Sequence, residues 1–276
     1  MFIFFDDRSS DSPFVERVFG CYSERAGKFL SMATSQWMMV VTQVNGETTL
    51  TVRGPETRAT IAECPAGGEW FGILFKTGTF MPRFPANMLI DRKDVTLPGA
   101  AGRSFWLDSS TWEYPGFENA ETFVDRLVHN ELVVQDPVVA SGLRGHLDRT
   151  TLRSTQRHFV RTTGLSHAAI RQIERARYAT NLLREDVPIL EVVHAAGYFD
   201  QAHLTRSLRR FTGQTPAQIM RESEQLSFLY KTGLFSQATM TSSADEEEDH
   251  FPWSPGSRKG SSSTIRVEGT GANLYW

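Results

Sequence analysis

The strongest constraint on this fold is Gly197, which separates two short helical patterns. Residues 189–196 place apolar side chains at the i, i+3, i+4 and i+7 positions of one helix face. Asp200 can cap a second helix over residues 201–211, which Gly213 then ends. A helix of about eight residues, a glycine turn and a capped helix of about eleven predict a helix-turn-helix.

A weaker copy of this pattern lies 49 residues upstream, where QRHFVRTTGLS at 156–166 parallels TRSLRRFTGQT at 205–215. Asp136-Pro137 is a helix start, and this helix is expected to run to about His146. The buried stripe of the helix that follows is expected at Leu152, Thr155, Phe159 and Val160.

A long helix is predicted to join the two units. Ser166 can cap it, and the spacing of apolar residues stays helical to about Arg184. At 1.5 Å per residue, about 18 residues make a rod of roughly 27 Å. The segment that holds both units is therefore predicted to be all-helical.

Charge divides the chain into three regions. Residues 1–135 carry 12 Lys+Arg against 17 Asp+Glu, whereas residues 136–222 carry 13 arginines and 8 Asp+Glu, a formal net charge of +5. Residues 223–276 include the acidic run DEEED at 245–249. A compact basic segment is typical of a surface that binds a phosphate backbone. We predict two domains, 1–135 and 136–222, followed by a mostly flexible tail at 223–276.

The first domain is predicted to be rich in β-strand. Asn45-Gly46 between the apolar runs 37–44 and 48–53 is typical of a two-residue hairpin turn, because both turn positions need positive φ. Further short apolar runs are separated by prolines and glycines, as in a small sandwich or barrel. Residues 118–131 have helical spacing instead. The expected fold class is α+β, a sandwich- or barrel-like β-rich domain followed by an all-α domain.

The outer faces of the second helix of each unit carry basic and amide side chains. Arginine can bond guanine, glutamine can bond adenine, and a small residue can touch a thymine methyl. For any single arginine, a solvated helix face is the simpler interpretation. The upstream helix carries Arg153, Gln156, Arg157 and Arg161, and the downstream helix carries Gln201, Ala202, His203, Thr205, Arg206, Arg209 and Arg210.

Other classes of protein lack support in the sequence. No apolar run approaches the roughly 20 residues of a membrane helix, and the opening MFIFF lacks the basic flank of an export signal, so we expect a cytoplasmic protein. Cys21 and Cys64 match neither a metal spacing nor a CxxC pair, and we expect unpaired thiols. No nucleophile elbow, phosphate loop or metal motif occurs, so we expect neither an enzyme nor a cofactor.

The run PILEVVHAAGYFDQAHLTRSLRRFTGQTP at 188–216 resembles the DNA-binding domain of AraC/XylS-type transcription regulators. LRSTQRHFVRTTGLS at 152–166 and RQIERARYATNLL at 171–183 match that domain in kind and spacing. The resemblance implies two recognition helices that enter successive major-groove segments on one face of double-stranded DNA. It also implies base contacts by Arg153, Gln156, Arg157, Gln201, Ala202, His203 and Arg206, and phosphate contacts by Arg161, Thr205, Arg209 and Arg210.

In this family the other domain usually binds an effector or dimerises. The resemblance therefore implies an unknown small-molecule effector, a second copy of the chain and RNA polymerase as candidate partners. His129 is the one histidine in residues 1–135, which argues against a His-cluster metal site there. Candidate effector-pocket residues, which on the simpler interpretation only form the domain core, are Trp37, Met39, Phe75, Phe80 and Trp106.

An alternative function belongs to a different class. The chain could be a ligand-binding or dimerisation protein whose basic helical domain binds DNA only non-specifically. Selective recovery of one DNA sequence distinguishes the first function from this one, since backbone contacts alone carry no sequence information.

Overall fold

The computed structural model describes residues 2–84, 86–91, 95–143 and 152–221. The predicted tail at 223–276 and the predicted continuation of a helix to His146 lie outside these residues. Strands dominate as far as Gln135 and helices follow from Pro137, so the predicted order of a β-rich part and a helical part is confirmed.

The β-rich part is built on antiparallel pairs. Its strands are β1 (Phe2–Ser9), β2 (Val15–Ser23), β3 (Gly27–Ser31), β4 (Met38–Val44), β5 (Glu47–Arg53), β6 (Thr60–Cys64), β7 (Gly68–Phe75), β8 (Thr79–Phe80), β9 (Val95–Thr96), β10 (Ser104–Leu107), β11 (Ser110–Glu113) and β12 (Val134–Gln135). A six-stranded sheet has the order β1-β2-β7-β4-β5-β9, and two-stranded pairs form from β3 and β6, β8 and β12, and β10 and β11. The predicted hairpin is confirmed as β4 and β5, with φ of 52° at Asn45 and 78° at Gly46.

The helices are α1 (Ala86–Leu89), α2 (Ala120–His129), α3 (Pro137–Leu143), α4 (Leu152–Thr163), α5 (His167–Arg184), α6 (Ile189–Ala195), α7 (Gln201–Thr212) and α8 (Pro216–Arg221). The predicted joining helix is confirmed as α5, and the Ser166 hydroxyl caps it by accepting from the Ala169 amide at 3.1 Å. The predicted stripe on α4 is right for Phe159, which is fully buried. It is wrong for Val160, whose surface is 48% exposed, because α4 turns that side chain away from the helical core.

The sheet packs its apolar face against α2. The Trp37 and Phe75 rings stack with centroids 3.8 Å apart, and Phe123 of α2 meets Trp112 edge-on at 6.1 Å. In a separate buried cluster of the sheet, Gly72 of β7 leaves room for the Phe19 ring, since a Cβ there would lie 2.0 Å from it. A second core joins the helices, and its fully buried members include Phe159, Ala176, Leu183, Val192, Leu204 and Leu208.

Both cysteines are free and buried, as predicted. Burial, and secondarily the neighbouring Cys64, raises the pKa of Cys21 to about 12. The thiolate is the nucleophilic form of cysteine, so we expect native Cys21 to resist iodoacetamide at neutral pH and to react only after unfolding. Mass spectrometry of protein labelled with and without urea checks this, and equal labelling in both samples would contradict it.

A partly exposed ion pair joins β1 to α2. Arg8 donates two hydrogen bonds to the Glu121 carboxylate, at 2.5 and 2.7 Å, and the Ser10 hydroxyl donates a third at 2.8 Å. The hydrogen bonds from Arg8 are the main reason that the pKa of Glu121 falls from its ordinary 4.5 to about 2. The folded state therefore prefers the ionised carboxylate, which contributes stability above pH 4.5 that is lost as the pH falls toward 2.

We expect Glu121→Gln to lower the free energy of unfolding at pH 7 by about 1 kcal/mol, the scale of a partly exposed charge pair. The difference from the parent protein should shrink as the pH falls from 4.5 to 2, because the parent then loses the same charge. Urea unfolding at a series of pH values measures it, with the exposed Glu118→Gln as the control. A difference that stays constant across that pH range would contradict this account.

Candidate nucleic-acid interface

The second helix-turn-helix unit has the local structure that its sequence predicts. Gly197 ends α6 at a φ of 65°, and the Tyr198 amide donates to the Val193 carbonyl at 2.8 Å. The Asp200 carboxylate then caps α7 by accepting from the His203 amide. Gly213 ends α7 in the left-handed region at a φ of 77°. A backbone hydrogen bond therefore closes the turn, the Asp200 side chain caps the start of α7, and the left-handed Gly213 ends it.

The face of α7 opposite its buried Leu204 and Leu208 is polar and basic. Two of its predicted contact residues are half-buried and contact other groups of the unit, and the others are exposed. His203 and Thr205 are half-buried, the His203 ring lying edge-on to Tyr198 at 5.2 Å and the Thr205 hydroxyl donating to the Gln201 carbonyl at 2.8 Å. The exposed members are Gln201, Ala202, Arg206, Arg209 and Arg210.

The first unit presents a similar face on α4. Phe159 is fully buried against the helical core, while Arg153, Gln156 and Arg157 are exposed. Residues 144–151, which precede α4, lie outside the described residues. The helix α5 then links this face to the second unit through 18 residues.

Arg161, predicted to contact phosphate, is bound to a buried carboxylate. Its Nη2 lies 3.1 Å from Oδ2 of Asp136, although its own side chain is 67% exposed. The same oxygen accepts from Thr162 at 3.1 Å and lies 2.7 Å from Nδ1 of His158. The other carboxylate oxygen of Asp136 caps α3 by accepting from the Val138 amide at 3.0 Å. Arg161 is therefore held by Asp136 at the end of α4.

The sequence indicates Asp136 only as a helix start and does not predict this network. Burial by itself would raise the pKa of Asp136, but hydrogen bonds from His158 and Arg161 outweigh it, and the pKa lies below its ordinary value. The Asp136 amide also donates to the Gly78 carbonyl at 2.8 Å. One residue thus joins the β-rich part to α3 and α4. The spacing of Asp136 from His158 and Arg161 gives no sequence signal, because the partners are 22 and 25 residues away and follow no helical or strand period.

The β-rich part also binds the C-terminal end of α7. The Ala33 amide donates to the Phe211 carbonyl at 2.8 Å, and the Ala59 amide donates to the Arg210 carbonyl at 2.9 Å. These carbonyls belong to the last helical turn, which lacks intrahelical partners. Leu30 approaches so closely that a Cβ on Gly213 would lie 3.0 Å from it. The end of α7 is therefore capped by backbone amides of the β-rich part.

The middle of α5 is bound to the same segment of the β-rich part. Arg177 is 2% exposed, and its Nη1 lies 3.4 Å from the Thr34 hydroxyl. The Ser35 hydroxyl donates to the Glu174 carboxylate at 2.7 Å. Residues 33–35 therefore contact both the joining helix and, through Ala33, the end of α7.

A cavity of about 20 Å³ lies where the β-rich part meets α1 and the end of α4. Trp37 and Phe80, two of the predicted effector-pocket residues, line it together with Thr79, Thr162 and Thr163. Its volume admits about one water molecule.

The other predicted pocket residues lie elsewhere. Phe75 stacks behind Trp37, and Met39 is buried in the sheet core. Trp106 is 46% exposed on the β10–β11 hairpin, so the structure does not bring it to the cavity. The pattern of aromatic residues could not separate these positions, because Trp106 lies on a hairpin whose alternate side chains face solvent.

Within the part of the chain that the structure describes, no helix is long and apolar enough to cross a membrane. The same residues contain no cluster of three or more His, Cys, Asp or Glu side chains that could hold a metal ion.

A family model described as a helix-turn-helix domain matches residues 149–222. The HTH-type transcriptional regulator RipA of Corynebacterium glutamicum is 32% identical over 89 residues, which are 32% of this chain and 27% of that protein. The regulator of the same name from Corynebacterium diphtheriae is 35% identical over 71 residues, which are 26% of this chain and 21% of that protein. The matched part of the chain thus spans about a quarter of the length of these curated relatives.

The structure also has a distant likeness to the crystal structure of ToxT from Vibrio cholerae O395. The two share 9% sequence identity at a TM-score of 0.35, over 74% of this chain and 95% of that one. This likeness is too remote to support an inference about fold or function. The family match falls on the segment whose motifs resemble the AraC type. Residues 149–222 of this chain are therefore a helix-turn-helix domain.

Proposed function

We propose that this chain is a sequence-specific DNA-binding transcription regulator, with α4 and α7 in adjacent major-groove segments. The observation that carries the proposal is the pair of exposed, arginine-bearing helix faces joined by α5. At 1.5 Å per residue, α5 is a rod of about 27 Å. Together with helix widths, that length suits successive major-groove segments about 34 Å apart.

The proposed base contacts are those of exposed side chains near the start of α7 and on α4. Recognition helices place their N-terminal residues against base edges, which favours Gln201 and Ala202, with Arg206 one turn further on. On α4 the corresponding residues are Arg153, Gln156 and Arg157. His203 is half-buried against Tyr198, so it contributes to the groove surface through one edge of its ring.

The proposed phosphate contacts are Thr205, Arg209 and Arg210 on α7 and Arg161 on α4. The Arg210 guanidinium lies 5.0 Å above the Phe211 ring, which keeps the charge near the helix end. Arg161 already has a carboxylate partner in Asp136, so binding to phosphate requires sharing or exchange of that partner. RNA polymerase and a second copy of the chain are further proposed partners in the cytoplasm.

Selection of genomic fragments by the purified protein at moderate salt tests sequence-specific binding. We expect the recovered fragments to share two short sequence boxes about one helical turn apart, because α4 and α7 are held at one spacing. Recovery of random fragments would contradict the proposal and favour the alternative of a ligand-binding or dimerisation protein that binds only the DNA backbone.

On the selected sequence, we expect Arg206→Ala to weaken binding by about 1–3 kcal/mol and to relax the preference at one base pair. Arg210→Ala should weaken binding to every sequence and reduce the salt dependence by about one phosphate contact. Titrations at several salt concentrations on selected and random duplexes measure both effects. Arg103→Ala, which removes an exposed arginine from the β-rich part, is the charge-matched control. Equal effects of both changes on the two duplexes would contradict these assignments.

The effector proposal rests on the cavity beside α4. Thr79 is 1% exposed there, and its hydroxyl has no hydrogen-bond partner among the residues described. An unsatisfied buried hydroxyl lowers stability, and it is also a group that a polar ligand could satisfy. Because the cavity has a volume of only about 20 Å³, an effector larger than water has to open it.

We expect Thr79→Val to raise the free energy of unfolding by about 1 kcal/mol, because the change removes an unpaired polar atom at nearly constant volume. Thr163→Val is the matched control, since Thr163 also lines the cavity. Its hydroxyl donates to the Phe159 carbonyl at 2.8 Å, so its loss should lower stability by about 1 kcal/mol. Urea unfolding of both variants measures this, and destabilisation by Thr79→Val would show that its hydroxyl is already paired.

A further inference from the structure

Phe199 is a large apolar side chain in an unusual position. Its surface is 91% exposed, and it comes immediately before Asp200, the cap of α7. Among the described residues, the other strongly exposed apolar side chain of this unit is Leu190 of α6, at 66%. Single exposed apolar residues are common on proteins, so the exposure alone does not indicate a function.

The turn that holds Phe199 is rigid on both sides. The preceding Tyr198 is 5% exposed, its hydroxyl lies 2.9 Å from that of Ser207, and the Arg175 guanidinium stacks 4.5 Å above its ring. Arg175 also donates to the Gly197 carbonyl at 3.4 Å. Because the neighbouring residues are held in place, the Phe199 side chain starts from a fixed backbone position. Binding through this side chain therefore costs little conformational entropy.

The residues next to Phe199 indicate what kind of partner its ring meets. Asp200, Gln201 and Ala202 follow it in the chain and are exposed, so the ring stands beside polar and small groups. A protein partner would need a wider apolar surface, since interface cores are contiguous. A single ring at the start of a recognition helix instead fits a single apolar group in the major groove. The thymine 5-methyl is the apolar group that the major groove offers.

We propose that Phe199 is a specificity-determining residue that contacts a thymine 5-methyl at the edge of the sequence bound by α7. The inference rests on the proposed DNA-binding function and adds to it a base preference set by an apolar contact. The ring needs no hydrogen bond for this role. The methyl group would cover part of the ring surface that is exposed in the free protein.

Replacement of thymine by uracil removes the methyl and keeps the hydrogen-bonding edge of the base, so it tests the contact directly. The probe is a duplex that carries the selected sequence, with each thymine replaced by uracil in turn. We expect one replacement to weaken binding of the parent protein about fourfold, the effect of exposing one methyl-sized group. Phe199→Ala should weaken binding to the thymine duplex by at least as much and show no further loss with uracil at that position.

Leu190→Ala is the control, because it also removes an exposed apolar side chain from this unit but lies on α6. It should keep the parent protein's fourfold response to uracil. Thermal unfolding of both variants confirms that each is folded, which is expected since neither side chain is buried.

The outcomes separate this inference from the function on which it rests. Selection of a shared sequence, with the same response to uracil in Phe199→Ala as in the parent protein at every position, overturns the methyl contact alone. Loss of self-association or of RNA polymerase binding by Phe199→Ala, with unchanged DNA affinity, overturns it in favour of a protein partner. Failure to select any sequence overturns both the contact and the proposed function.

Discussion

The arrangement of the helical part depends on one buried carboxylate at the point where the two parts of the chain meet. Asp136 binds His158, Arg161 and Thr162 of α4, caps α3, and donates its amide to the Gly78 carbonyl of the β-rich part. A buried carboxylate without hydrogen-bond partners would destabilise the fold. Burial of Asp136 therefore requires the donors on α3 and α4. The orientation of α4 is therefore set by a contact that includes the β-rich part, and not by helix packing alone.

The second helix-turn-helix unit is joined to the β-rich part by a different set of contacts. Amides of Ala33 and Ala59 satisfy the last carbonyls of α7, and the buried Arg177 of α5 reaches Thr34. Together with the contacts of Asp136, these contacts fix α4, α5 and α7 to the β-rich part. A proposed consequence is that the spacing of the two helix faces changes little on binding. In the proposed complex, DNA that bends or twists readily to this spacing would then be favoured, which adds to the sequence preference.

The sequence predicts those features of the fold that arise from local rules. Asn45-Gly46, Ser166 and Asp200 act within a few residues, and their turn and caps are confirmed. The early strands β1, β2 and β3 are not predicted, because they lack a regular alternation of apolar and polar residues. In addition, β3 pairs with β6, which lies about 30 residues further along the chain. The bond from Arg161 to Asp136 cannot be predicted because it joins segments distant in sequence. The exposure of Trp106 has a different cause, since an alternating hairpin pattern does not say which of its two faces meets solvent.

The cavity beside α4 shares residues with the Asp136 network. Thr162 lines it and also donates to Asp136, while Gly78 lines it and accepts the Asp136 amide. An occupant that enlarges the cavity would therefore displace groups that orient α4. If the proposed effector binds there, its affinity and the affinity for DNA are coupled through this one network. Thermodynamic linkage then requires that DNA change the affinity for the effector by the same factor as the effector changes the affinity for DNA.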